Sequence, residues 1–246
     1  MFAAVFLRRL QSSYLFAAAL CMLPATLRAD PPPAATAGEV PLTTSTGDAY
    51  AKLPPAAEAA AEAGIEAMGK DKFNVAEAAF LKLLDLAPDN VSALVNLGLI
   101  EFRLGHQDQS QMYLKRAIQL KPDAGLAWMI LGVIANNQGD LLAATADLAQ
   151  AVYLGPQNPQ AHNYFAVVLS KRGWYSAAED ELQKAIELSP DFAEAHFNLA
   201  LVYLQCNPPS IELARRHYQK ALDLGEPPDP DVAAKLNAAP APSAVP

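Results

Sequence analysis

The chain has 246 residues, of which 52% are apolar and 8% aromatic, and its 18 basic and 26 acidic side chains give a net charge of −8. This is enough apolar residue for a substantial core in one or two domains. An acidic chain without a dense basic cluster is a poor partner for nucleic acid and for an anionic membrane surface. Its abundant alanine favours packed helices over sheets.

The N-terminal segment 1–29 has the three-part pattern of a secretory signal peptide. Arg8 and Arg9 form the positive region, YLFAAALCMLPATL is the apolar run, and LRAD offers a cleavage site after Ala29. Leu27 occupies the minus-three position, where a small residue is preferred. The alternative is an uncleaved anchor, although this run is shorter than the ~20 residues that span a bilayer. We therefore expect an exported protein of the periplasm or cell envelope (secretion is the alternative), with membrane association only if the signal stays uncleaved.

Cleavage would also leave a single cysteine. Residues 1–29 contain three of the 18 basic residues, no acidic residue and Cys21, so the mature chain would have 15 basic and 26 acidic residues and a net charge of −11. Cys206 would have no intramolecular disulfide partner. We interpret Cys206 as a small apolar residue near a helix end. A reactive thiol is the alternative, but no neighbouring histidine or aspartate pattern supports it.

The segments at both ends of the chain are poor in large apolar residues. Residues 30–56 include DPPPAATAGEVPLTTSTGD, and the chain ends with NAAPAPSAVP. Such segments cannot bury enough surface to offset the entropy lost on ordering. We therefore predict a disordered linker at 30–56 and a disordered tail after a short helix within 229–246.

Between these segments, small residues and prolines recur at one regular spacing. The four series are Pro88, Pro122, Pro156 and Pro190; Gly98, Gly132, Ala166 and Ala200; Ala117, Ala151 and Ala185; and Gly105, Gly139 and Gly173. All four series share a period of 34, which with these residue types is the signature of tetratricopeptide repeats. The chain therefore resembles the tetratricopeptide repeat (TPR) family from residue 57 to about 228.

The predicted repeats are residues 57–90, 91–124, 125–158, 159–192 and 193–228. Each shows two amphipathic helices, and the closing proline fixes the turn into the next repeat because it cannot continue a helix. One hairpin cannot bury its own apolar face, whereas stacked copies can. The resemblance implies an all-α fold, an α-solenoid of five helix-turn-helix hairpins in a right-handed superhelix. In repeat three the residues that match the family are Trp128, Leu131, Gly132, Ala135, Ala144, Leu148 and Ala151.

Two repeats depart from the pattern. The first has Ala60, Ala63 and Ala67 where bulkier residues usually lie, which suggests a weakly packed N-terminal cap. The fifth contains CNPPS in place of the usual turn, and we interpret this two-residue insertion as a longer loop rather than a lost helix. The segment PPDPDVAAKLN then predicts a short helix starting near Asp231, which would cover the last apolar face.

Four histidines are the candidates for chemistry: His106, His162, His196 and His217. His162 and His196 occupy the same repeat position, which Trp128 fills in repeat three. A metal or proton-relay pair is one interpretation, but no cysteine or carboxylate has metal-ligand spacing around them. We favour packed histidines that replace an aromatic. Since there is also no phosphate loop, nucleophile elbow or HExxH motif, we predict a non-enzyme without metal or cofactor.

In the family that the chain resembles, the first helix of each repeat lines a concave groove that holds a peptide. Members that bind a terminal carboxylate use lysines and an arginine there, whereas this chain has only Arg103 and Lys171 at the edge. We expect an exposed apolar strip that binds an apolar or amphipathic peptide, with asparagines bonding its backbone; the alternative is that some residues are helix–helix core. The predicted groove residues are Val95, Asn96, Leu99, Phe102, Met129, Ile130, Val133, Asn136, Asn163, Tyr164, Val167, Phe197, Asn198 and Leu201.

These patterns together predict an exported protein–protein interaction scaffold or assembly factor. Its partner would be a protein or peptide segment. Two alternatives remain at this point: self-association through the groove, and a non-catalytic subunit of an envelope polysaccharide or secretion complex.

Overall fold

The computed structural model describes residues 53–238, and every regular element in that range is an α-helix. The predicted signal segment, nearly all of the predicted linker and the predicted tail lie outside the described residues. The eleven helices are α1 (Pro55–Met68), α2 (Phe73–Leu86), α3 (Val91–Arg103), α4 (Gln107–Leu120), α5 (Gly125–Asn137), α6 (Leu141–Leu154), α7 (Pro159–Lys171), α8 (Tyr175–Leu188), α9 (Ala193–Gln205), α10 (Ile211–Asp223) and α11 (Pro230–Ala238).

The first ten helices form five hairpins that stack in chain order. Within each hairpin the first helix, called the inner helix below, packs closely against the second, called the outer helix. Each outer helix packs against the inner helix of the next hairpin, and consecutive inner helices from α3 to α9 also contact one another. Among the described residues, a helix therefore contacts only its near neighbours in the array, as expected of a solenoid.

Glycines on two inner helices let the helices of a hairpin approach closely. A Cβ built on Gly98 would lie 2.5 Å from Cγ of Leu114, and one on Gly132 would lie 2.6 Å from Cγ of Leu148. Both leucines are completely buried on the outer helices. The glycine series of the sequence is thus explained by the space that a large outer-helix side chain occupies.

A second set of glycines ends the inner helices. Gly105, Gly139 and Gly173 have φ angles of +84°, +80° and +77°, a left-handed conformation that glycine adopts without steric cost. In the first repeat, Asp71 takes the equivalent position with φ of +53°. The turn is therefore retained in the first repeat without a glycine.

The two repeats that depart from the pattern are helical hairpins as well. Ala60 and Ala67 in α1 are buried, whereas Ala63 is exposed, so α1 offers little side-chain volume to its hairpin. In the fifth repeat, residues 206–210 connect α9 to α10, a five-residue loop where the three preceding hairpins have three. The period then resumes with Ala214 buried in α10.

The short helix α11 is attached to α10 by polar contacts. The Tyr218 hydroxyl donates to the carbonyl of Asp229 at 3.0 Å and accepts from its backbone N–H at 2.8 Å. Arg215 donates to the carbonyl of Leu236 at 2.9 Å, and Leu236 is buried. The last hairpin is thereby covered in the way that solenoid ends require.

Candidate functional site

All fourteen predicted groove residues lie on the inner helices α3, α5, α7 and α9, and all are buried, with 0–6% of their surface exposed. This differs from the exposed strip that the sequence suggested. Consecutive inner helices contact one another, so a side chain that faces away from its hairpin partner still meets a neighbouring inner helix. The alternative of helix–helix core describes their packing, and their role in binding stays a prediction.

The buried asparagines of this face bond to other residues of the array. Asn198 donates its side-chain N–H to Oδ1 of Asn163 at 2.9 Å, and Asn163 donates to Oε1 of Glu194 at 2.9 Å. Asn96 donates to the carbonyl of Ser92 in its own helix. Buried amides require such partners. Asn163 and Asn198 thus link α7 to α9, which the sequence could not show because the link depends on side-chain rotamers.

The C-terminal ends of three inner helices form a more accessible border, called the inner edge below: Asn137, Lys171 and Gln205. Asn137 is exposed, and the other two are half-buried. Lys171 donates to Oδ1 of Asn136 on the preceding inner helix at 2.8 Å. Burial lowers the pKa of Lys171. The inner edge is where solvent reaches the end of the buried face.

Ring N–H groups join each repeat to the turn before it. In three successive repeats the fourth residue donates a ring N–H to the carbonyl of the proline that closes the preceding repeat. A carbonyl only accepts, so Nε2 of each histidine carries the proton. The prediction that His162 and His196 are packed substitutes for an aromatic is confirmed. The pairs are Trp128 with Pro122 at 2.8 Å, His162 with Pro156 at 3.1 Å, and His196 with Pro190 at 3.1 Å.

The second nitrogen of each histidine meets a different partner. His162 Nδ1 lies 2.6 Å from Oε2 of Glu181, and His196 Nδ1 lies 2.9 Å from Nδ1 of His217. With the two-residue insertion, Glu181 and His217 are equivalent positions of consecutive repeats. A carboxylate favours a doubly protonated ring, whereas a second imidazole favours two neutral rings sharing one proton between the nitrogens.

The pKa values of these rings shift in opposite directions. Burial lowers the pKa of His162, but its bonds to Glu181 and Pro156 outweigh burial and raise the pKa above the ordinary value. Burial, only partly opposed by the Pro190 carbonyl, lowers the pKa of His196. Burial, with His196 and Arg216 nearby, lowers the pKa of His217 to about 4.

The remaining titratable positions carry no catalytic arrangement. His106 Nδ1 lies 2.8 Å from Oε2 of the buried Glu101, whose position holds Ala135 in the next repeat. Burial raises the pKa of the Cys206 thiol, with Glu179 adding to the effect, so this cysteine has little thiolate character. Within residues 53–238, no three His, Cys, Asp or Glu side chains are grouped to hold a metal ion. No helix of that range has the length and apolar character to cross a bilayer.

The stacked hairpins and the 34-residue period define a helical repeat protein of the TPR class. The family profile described as Tetratricopeptide repeat matches residues 61–110 and 104–159, and the profile described as TPR repeat matches residues 168–206. Together they cover more than half of the chain, which belongs to the TPR family. No curated protein sequence matches the chain.

Three solved structures with the same fold are informative. A structure of MamA is 26% identical, with a TM-score of 0.56, over 66% of this chain and 94% of that one. MamA from Desulfovibrio magneticus RS-1 is 15% identical, with a TM-score of 0.60, over 70% and 97%. YrrB, a TPR protein with an unusual peptide-binding site, is 20% identical, with a TM-score of 0.57, over 76% and 92%. At such low identity, the second MamA structure and YrrB show the fold alone.

Proposed function

We propose that the protein is an exported TPR scaffold that binds an apolar or amphipathic peptide segment of a partner at its inner helices. The observation that carries the proposal is the inner edge. There, Asn137, Lys171 and Gln205 are accessible and lie beside a continuous apolar face built by four repeats. YrrB supports it as a protein of the same fold with a peptide-binding site.

Binding at this face requires the array to open. Side chains that expose 0–6% of their surface offer a partner almost no contact area until the inner helices move apart. A solenoid can change its curvature in small steps, because each repeat contacts only its neighbours. A segment that enters from the inner edge would meet Leu204 first, since this leucine is half-buried at the end of α9. The proposed site therefore runs from this edge into the buried face.

The test begins with a peptide selection. A phage-displayed library is selected on the full chain, and the affinity of each selected peptide is measured by fluorescence anisotropy. Leu204→Asp places a charge on the inner edge, and Leu142→Asp is the matched control on α6, where the leucine is 73% exposed. We expect Leu204→Asp to weaken binding at least about tenfold, because a charge would have to be desolvated against an apolar segment. We expect Leu142→Asp to leave the affinity unchanged.

Two results would contradict the proposal. If the library yields no binding peptide, the peptide-binding role is wrong. If selected peptides bind both variants as tightly as the parent, the inner helices are not the site, and the outer helices become the candidate. Circular dichroism of both variants must match the parent for either comparison to hold.

A further inference from the structure

We propose that Lys171 is a recognition point for one carboxylate of the bound segment, at the place where the segment enters from the inner edge. This inference rests on the proposed peptide-binding function and adds the chemistry of the ligand. The carboxylate could come from a glutamate or aspartate side chain or from a C-terminus, because all three present the same pair of oxygens.

The first argument is that Lys171 lacks a counter-charge. Its ammonium group has three donors, and its partner among the described residues is Oδ1 of Asn136, a neutral acceptor at 2.8 Å. No carboxylate within residues 53–238 forms an ion pair with it. Burial alone lowers its pKa, without a contribution from a neighbouring charge. Two N–H donors of a half-buried cation are thus left for a ligand.

The second argument is the direction in which Lys171 reaches. The neighbouring Arg172 donates to Oγ1 of Thr145 at 2.8 Å and lies 4.0 Å from the ring centre of Trp174, so it is held against an outer helix. Lys171 instead reaches Asn136 on the adjacent inner helix. Two consecutive basic residues therefore serve different faces. The one on the inner edge is the one without a saturating set of partners.

The third argument is a buried hydroxyl beside it in the chain. Ser170 is 2% exposed, and its Oγ has no hydrogen-bond partner in the described part of the chain. Ser170 follows Asn136 by one full repeat and therefore occupies the equivalent position of the next repeat. A buried hydroxyl without a partner costs free energy. A carboxylate held by Lys171 would bring an acceptor to this row of the inner helices.

The C-terminus of α7 does not replace the ligand. Lys171 is the last residue of the helix, where the partial negative charge of the helix end favours a cation. This partial charge is about half an elementary charge and is spread over several carbonyls. It reduces the cost of holding the ammonium group there and leaves the specificity for a full negative charge to the ligand.

The first experiment requires no ligand. If Lys171 is kept for binding, its half-buried charge destabilises the free protein, and Lys171→Met should raise the melting temperature of the full chain by about 2–4 °C. The control is Lys184→Met on α8, since Lys184 is paired with Glu187 at 3.0 Å and lies outside the inner edge. A lower melting temperature for Lys171→Met than for Lys184→Met would overturn the inference, because it would show that Lys171 is a structural residue.

The second experiment measures charge preference directly. The probe is a positional library of acetylated ten-residue peptides of Leu, Val and Ala, each with Glu, Gln or Lys at one position, made with amidated and with free C-termini. The parent protein should bind one Glu peptide, or the free C-terminus, about tenfold more tightly than its neutral counterpart. Lys171→Gln should remove this difference, and Lys171→Glu should favour the Lys peptide instead.

The outcomes separate this inference from the proposed function. If library peptides bind without a preference for carboxylate, or if the preference survives in Lys171→Gln, the inference is wrong and peptide binding stands. If no library or selected peptide binds at all, the proposed function is wrong, and the inference falls with it. The amidated and free series decide whether the carboxylate is a side chain or a terminus.

Discussion

Replacement of Gly132 by alanine tests the close approach of the two helices in repeat three. The new Cβ would lie 2.6 Å from Cγ of Leu148, 3.1 Å from its backbone nitrogen and 3.2 Å from its Cδ2. Carbon atoms in contact normally lie about 3.5–4.0 Å apart. Leu148 is completely buried, and its backbone belongs to α6. The contact can therefore be relieved only if α5 and α6 move apart or Leu148 leaves its rotamer.

Two effects of opposite sign decide the size of the change. Alanine is about 1 kcal/mol more favourable than glycine inside a helix, whereas overpacking of a core costs about 1–3 kcal/mol. We expect Gly132→Ala to lower the free energy of unfolding by about 1 kcal/mol. Gly132→Leu should lower it by about 3 kcal/mol, because it adds three more carbons at the same place.

Urea denaturation of the full chain, followed by circular dichroism, measures these changes. The matched control is Gly125→Ala in the first turn of the same helix, where the new Cβ would meet Cβ of Leu154 at 3.4 Å, an ordinary contact. Gly125→Ala should leave the midpoint unchanged or raise it. The clash itself is tested with Leu148→Ala, which alone should cost about 2–5 kcal/mol. Combined with Gly132→Ala, it should cost about 1 kcal/mol less than the sum of the two. Additive effects, or a Gly132→Ala variant as stable as the control, would refute this assignment of the contact.

Three further predictions concern the rings and the N-terminus. Trp128→Phe removes the ring N–H that bonds Pro122 and should lower the free energy of unfolding by about 0.5–1.5 kcal/mol in urea titrations; an unchanged midpoint would mean that the bond adds nothing. The folded-state pKa of His217, about 4, lies below the ordinary 6.5, so the unfolded chain binds more protons between these values. Stability should therefore fall as the pH decreases from about 6.5 to about 4, and melting curves of His217→Gln should show a smaller fall. N-terminal sequencing of the exported protein should begin at or near Asp30, whereas an intact Met1 in the membrane fraction would indicate an uncleaved anchor.

The features that the sequence predicted well are those that each repeat encodes locally. Gly139 ends an inner helix because its φ angle is positive, and Ala151 is buried because the hairpin is narrow at that point. Each requirement restricts the residue type at one position and recurs once in every repeat. The period therefore predicts the hairpins, and the five-residue loop after α9 follows from an insertion that shifts the period by two.

Features that depend on contacts between repeats could not be predicted in this way. The bond from Lys171 to Asn136 joins residues 35 apart, and the bond from Asn198 to Asn163 spans the same separation. No residue type is required at either end, because many polar pairs could satisfy each other there. The burial of the predicted groove residues likewise depends on how closely consecutive inner helices approach, and the repeat period carries no information about that distance.

The rings that replace Trp128 also explain how neighbouring repeats can respond differently to acid. His162 keeps the ring N–H and adds a carboxylate partner, Glu181, so its raised pKa contributes stability that is complete below about 6.5 and is lost as the pH rises through the folded value. His196 keeps the same N–H but faces His217, and this pair loses stability as the pH falls. His217 precedes Tyr218, which holds α11 through Asp229. Because repeats contact only their neighbours, acid should loosen the C-terminal hairpin and α11 first, while repeat four keeps its ion pair.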